Sequence, residues 1–176
     1  GATAFDYTEP LNDVKVFGQR SPNLLMNGNG ENGVYGWTNG NNGVLTHDGT
    51  NYILTNTGAT FGRESYNIPS ALAGGGDTLA IYIDASGDTT TGLYFYINGA
   101  WDGGVLMIDG MNVYTIPENS TQFRLENLTA TIALFTAFRE AEFFKGIVTA
   151  AEVTALGYQS YNPVVLHAVS DGSQMY

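Results

Sequence analysis

The sequence predicts an all-β sandwich, on three observations. Glycine supplies 23 of 176 residues, roughly twice its usual ~7% share. β-Branched and aromatic residues recur in short runs, the composition that fits a pleated, half-buried surface. Between the runs stand dipeptides that reverse the backbone: Asp48-Gly49, Asn98-Gly99, Asp102-Gly103 and Asp109-Gly110, with Gly74-Gly75-Gly76 and Ser86-Gly87-Asp88 beside them.

Taken in order, residues 1–22 hold two apolar pieces, Phe5 to Tyr7 and Val14 to Phe17, divided at Pro10 and closed by Ser21-Pro22. They read as an extended arm, either a first edge strand or a tether to a preceding domain or another subunit. From Gly43 the expected strands are Val44–Thr46, Tyr52–Asn56, Phe61–Ile68, Thr78–Asp84, Gly92–Ile97, Gly104–Ile108, Asn112–Ile116, Gln122–Glu126 and Thr131–Phe138. Their spacing of roughly 8 to 12 residues is the rhythm of a sandwich. Residues 23–146 are the expected sandwich module, and 147–176 a short helix and tail. Thr149, with Glu152 three residues on and Gly157 at the end, forms a capping box and stop for that helix. Residues 158–176 read as extended chain that adds a strand, packs on a partner or leads into a further domain.

Charge and size exclude several functions. Six Lys and Arg against 17 Asp and Glu leave a net charge of −11, the wrong sign for binding phosphate backbones or anionic membranes. No apolar run approaches the ~20 residues of a membrane helix, and no basic-then-apolar leader opens the chain. The absence of cysteine removes disulfides and thiolate metal sites. Asp84, Asp88, Asp102 and Asp109 sit in or beside turns, where Asp serves turn geometry, and neither His47 nor His167 has zinc-site spacing. No nucleophile elbow or phosphate loop is present, so no enzyme is expected.

The stretch Asn23-Leu24-Leu25-Met26-Asn27-Gly28-Asn29-Gly30-Glu31-Asn32-Gly33-Val34-Tyr35-Gly36-Trp37-Thr38 resembles the opening signature of jelly-roll carbohydrate-binding modules of the family 4/9/22 kind. Asn27, Gly28, Glu31, Gly33, Gly36 and Trp37 match, whereas Asn29 and Gly30 stand where that family usually has Asp and Phe. Tyr114 to Leu125 is similar to the family's late hairpin. The resemblance covers roughly residues 23–144 and implies a jelly-roll sandwich with Trp37 in the core. It also implies a structural calcium with Glu31 as a ligand, although the late acidic pair of the family is missing. The same opening recurs in phage appendages and in secreted polysaccharide-degrading enzymes. The Arg139–Gly146 segment before a small capped helix is more similar to the phage proteins.

Sugars are bound by exposed aromatic rings together with side chains that hydrogen-bond hydroxyls. Trp101, in the turn Asn98-Gly99-Ala100-Trp101-Asp102-Gly103-Gly104, is either a stacking residue or packed on its own loop. Alternation puts Tyr94 and Tyr96 opposite Leu93, Phe95 and Ile97, and Tyr82 opposite Ile81 and Ile83. The three tyrosines are expected to share an outward face, as a sugar platform or as ordinary flank cover, with Asn98, Asp102 and Arg63 bonding hydroxyls. The resulting expectation is a non-catalytic module for a polysaccharide or cell-surface glycan, extracellular or on a virion. The alternative is a structural virion protein (capsid decoration, head-fibre or tail adaptor) that assembles with itself or with other virion proteins through its terminal arms.

Overall fold

The computed structural model describes residues 21–84, 87, 90–129, 131–133 and 135–162, and among these eleven strands form two antiparallel sheets. The strands are β1 (Trp37–Asn39), β2 (Gly43–His47), β3 (Tyr52–Asn56), β4 (Arg63–Asn67), β5 (Asp77–Asp84) and β6 (Thr91–Ile97). They continue as β7 (Ala100–Trp101), β8 (Val105–Leu106), β9 (Gly110–Ile116), β10 (Ser120–Asn127) and β11 (Phe135–Phe144), followed by helix α1 (Ala150–Leu156). The expectations for the arm over 1–20, for the tail over 163–176, for Asp88 and for His167 lie outside the described residues.

One sheet runs β1-β4-β10-β6-β7, with β8 also on β6; the other runs β2-β3-β11-β5-β9. Successive strands from β3 to β6 alternate between the sheets, and β10 and β11 insert between them: β10 lies between β4 and β6, β11 between β3 and β5. This is the winding of a jelly roll. Each run alternates because one face of each sheet meets the other: Leu79, Ile81 and Ile83 of β5 and Leu93 and Phe95 of β6 all enter one core. A bulge at Arg139 resets that alternation, so that Phe138, Ala141 and Phe143 all face inward along β11.

Trp37 organises the middle of this core. Its ring lies 5.0 Å from Tyr66, 5.1 Å from Phe138, 5.4 Å from Tyr52 and 5.6 Å from Phe123, in tilted and edge-on contacts that aromatic quadrupoles favour. The opening segment is held to the sandwich by two buried asparagines. Asn23 accepts hydrogen bonds from the Leu25 and Phe143 amides and donates to the Leu25 and Gln159 carbonyls. Asn27 closes the 27–36 loop by donating to Gly33 and Tyr35 and accepting from Asn32, while the Tyr52 hydroxyl donates to its carbonyl. Directly after Asn27, Gly28 runs so close to β11 that a Cβ would stand 1.9 Å from the Ala141 oxygen. Three matching positions of the opening signature, Asn27, Gly28 and Trp37, thus have structural roles.

Helix α1 begins at the capping box, with the Thr149 hydroxyl accepting from the Glu152 amide and the Glu152 carboxylate accepting from the Thr149 amide. It lies on the outer face of the β2-β3-β11-β5-β9 sheet, where Val153 joins Val148, Ala80 and Phe144 in a second, smaller cluster. Buried Asp77 and Thr78 fasten the approach to the helix. Asp77 accepts from Lys145 at 3.0 Å and from the Gly146 amide at 2.8 Å. The Thr78 hydroxyl donates to the Gly146 carbonyl and accepts from the Val148 amide. Beyond α1 the chain crosses Glu142, which accepts from the Gln159 amide, and reaches Asn23, whose carbonyl accepts from Asn162.

Candidate functional site

Because α1 packs on the outer face of the β2-β3-β11-β5-β9 sheet, it leaves open the outer face of the other sheet, β1-β4-β10-β6-β7. Its side chains fall into rows set by strand register. Trp101, Tyr96, Gln122 and Asn67 form one row; Tyr94, Arg124, Ser65 and Thr38 form the next; Gly92, Glu126 and Arg63 form the third. At ~4.8 Å per strand, a row from β7 to β4 is roughly 14 Å long. All these residues alternate with inward-facing ones such as Phe95, Phe123, Leu125 and Tyr66, so the core fixes their outward direction.

The aromatic end of this face is built by the tight turn at Asn98-Gly99, where φ values of 50° and 85° give the mirror-image geometry that two-residue hairpins need. That turn folds β7 back on β6 and sets Trp101 edge-on against Tyr96, 5.0 Å between centroids. One side of the Trp101 ring is already occupied. The Arg124 guanidinium lies 4.2 Å from the Trp101 centroid and 4.9 Å from that of Tyr94, a cation–π arrangement. Arg124 in turn pairs with Glu126 at 2.9 Å, and Arg63 reaches the same carboxylate at 3.1 Å. Burial draws Arg124 below the usual guanidinium range, and Glu126 opposes that shift. Gln122 donates to Asn67 at 2.7 Å, completing a polar strip beside the rings.

The structure therefore gathers Trp101, Tyr94, Tyr96 and Arg63 on one face, with Asn98 and Asp102 exposed at the turn beside it. A shallow depression of about 310 Å³ lies there, lined by Ile97, Ala100, Trp101 and Asp102. Tyr82 is a correction. It belongs to β5 in the other sheet, opposite Met111 and Glu140, with Arg139 3.8 Å above its ring. Alternation tells inward from outward but not which of two sheets a strand joins. Glu31 is exposed on the 27–36 loop, and no group of three or more His, Asp or Glu side chains that could hold a metal forms among the described residues.

Arg124, Gln122 and Glu126 are site residues that sequence reasoning did not single out. The signal was present: Gln122-Phe123-Arg124-Leu125-Glu126 alternates polar and apolar as cleanly as the Tyr94 strand does. The missing step was pairing that run with β6.

Among the described residues these elements define a jelly-roll sandwich with α1 on the outer face of one sheet and an aromatic and polar outer face on the other that α1 leaves open. No protein-family model matches the chain, and no curated protein matches it. Among solved structures it is similar to a family 29 carbohydrate-binding module from Piromyces equi, at 11% identity and a TM-score of 0.45 over 64% of this chain and 83% of that one. It is also similar to a family 35 carbohydrate-binding module from Clostridium thermocellum, at 12% identity and a TM-score of 0.41 over 65% of this chain and 95% of that one. A third is the enzymatically active domain of tailspike protein 4 from bacteriophage CBA120, at 15% identity and a TM-score of 0.45, over 72% of this chain and 21% of that one.

Proposed function

We propose that the chain is a non-catalytic glycan-binding module whose binding surface is the outer face of the β1-β4-β10-β6-β7 sheet. The observation that carries this reading is the row Trp101–Tyr96–Gln122–Asn67: rings at one end, amides at the other, on the face that α1 leaves open. A sugar ring presents C–H groups on its flat side and hydroxyls at its rim, which matches stacking beside hydrogen-bonding groups. Trp101 is the stacking residue, Tyr94 and Tyr96 extend the aromatic end, and Asn98, Asp102 and Arg63 join Gln122 and Asn67 as hydroxyl partners.

A non-catalytic role is supported by the state of the acids. Hydrolysis of a glycosidic bond uses two carboxylates about 5 to 9.5 Å apart, whereas Glu126 is held by two arginines and Asp102 lies at the turn. Polysaccharides and surface glycans are met outside cells, so an extracellular setting, on a virion or a secreted protein, belongs to the same proposal. The test is a glycan array and insoluble-polysaccharide pull-down with the wild type and Trp101→Ala. Binding by the wild type that Trp101→Ala reduces at least about tenfold, the equivalent of roughly 1.4 kcal/mol, supports the reading. Binding to nothing, or equal binding by both proteins, overturns it.

A further inference from the structure

We propose that this face selects glycans carrying a carboxylate, such as uronic or sialic acid residues, with Arg63 as the specificity-determining side chain; this rests on the glycan-binding reading above. Cations are scarce in this chain, only six Lys and Arg against 17 acids. Of the four among the described residues, Lys145 is bound to Asp77 and Arg139 sits on Tyr82. The other two, Arg63 and Arg124, converge on the open face around a single carboxylate, Glu126. Two guanidiniums and one carboxylate leave one positive charge there, in a protein whose net charge is −11.

The two arginines are not equivalent. Arg124 is wedged between Tyr94 and Trp101 with its side chain only 12% exposed, whereas that of Arg63 is 31% exposed. A guanidinium carries five N–H donors in a rigid fork. Glu126 lies 3.1 Å from Arg63 Nε in an ion pair and accepts from one terminal nitrogen at 3.4 Å, which leaves the other terminal N–H groups to donate to a ligand. A carboxylate is the group that this fork matches, through charge-assisted and bidentate bonds that a neutral hydroxyl cannot form. Placement agrees with charge. Asp102 follows Trp101 on β7, three strands from Arg63 on β4, so a ligand carboxylate over Arg63 keeps clear of it while a neighbouring sugar ring reaches Trp101. Thr38, exposed in the next row, offers a hydroxyl beside the same position.

The experiment uses an array of acidic and neutral glycans with the full chain, then takes the best acidic ligand beside its carboxyl-reduced form, which keeps the ring and replaces the acid by an alcohol. Wild type, Arg63→Gln and Trp101→Ala are titrated with both forms at low and high salt. The expected result is binding of the acidic form about tenfold tighter than the reduced form, with the difference shrinking at high salt and vanishing in Arg63→Gln. Trp101→Ala weakens both forms. Binding only to neutral glycans, equal affinity for the two forms, or a preference that survives in Arg63→Gln overturns this proposal while leaving the glycan-binding reading standing. Binding to neither class overturns both.

Discussion

Glu64 sets up a stability prediction that can be worked through from its position. It lies on the inner face of β4, opposite Leu125 of β10 and Asn39 of β1, and is 1% exposed. Its Oε2 atom has no hydrogen-bond partner among the described residues. Burial alone pushes the carboxyl from 4.5 up to about 8, because a charge is poorly solvated there. The raised value belongs to the folded state, so between these two pH values the native chain keeps a proton that the unfolded chain has released. Stability conferred by the neutral carboxyl is complete below about pH 4.5, falls as pH rises and levels off above about pH 8. At roughly 1.4 kcal/mol per unit, the whole shift corresponds to about 5 kcal/mol, of which roughly 3 kcal/mol has accrued at neutral pH. Glu64→Gln keeps the shape and cannot ionise. Urea denaturation of both proteins across this pH range then gives a difference in which the other acids cancel. The variant should gain on the wild type by up to about 1.4 kcal/mol per pH unit and stop gaining near the upper limit. A difference that stays constant with pH, or one that shrinks as pH rises, would refute a buried, uncompensated Glu64.

Other perturbations separate the two sheets and the segments that fasten to them. Tyr82→Ala should leave glycan affinity within about twofold of wild type, an effect near 0.4 kcal/mol, because Tyr82 is on the sheet away from Trp101; titration on the best array ligand checks it. Arg124→Gln removes the cation beneath Trp101, so tryptophan emission should shift to the red and become easier to quench with iodide, and glycan affinity should fall. Asn23→Ala deletes four hydrogen bonds of a fully buried side chain and should cost about 2 to 6 kcal/mol in denaturant unfolding, at roughly 0.5 to 1.5 kcal/mol per bond. Asp77→Asn weakens the bonds to Lys145 and Gly146 and should raise hydrogen exchange of the α1 amides well before the core strands respond.

The strands were legible because local rules and tertiary burial agree. Tyr52–Asn56 was expected to the residue, and Thr78–Asp84, Gly92–Ile97 and Gln122–Glu126 lie within a residue or two of β5, β6 and β10. Turn dipeptides set their ends and alternation their faces. The helix was legible for the same reason, its capping box being a local code. Elements made by partnership were not. β1 and β7 are three and two residues long, too short to show periodicity, and exist because β4 and β6 pair with them. The last strand was expected over 131–138 but occupies Phe135–Phe144, since the bulge at Arg139 breaks the alternation that would have carried the prediction through Phe143. At the site, exposure of Trp101 and the tyrosine alternation could be read along the chain. The Arg124–Glu126–Arg63 group could not, because its members come from two strands 63 residues apart.

Tyr82 shows how the covered face and the open face follow from one topological rule. In a jelly roll, consecutive strands pass to opposite sheets, so β5 and β6, though joined by a short connection, present their outward residues on opposite sides of the molecule. Tyr82 and Tyr94 are both outward and can never share a platform. The same rule sends β11 into the sheet of β5, so the chain emerging from Phe144 starts on the side where Ala80, Met111 and Val113 need cover. Helix α1 supplies that cover with Val153. A helix laid on the other side would instead bury Tyr94, Tyr96 and Trp101. The burial that stabilises the C-terminal helix and the exposure that leaves an aromatic, arginine-braced face open to a ligand are consequences of the same strand order.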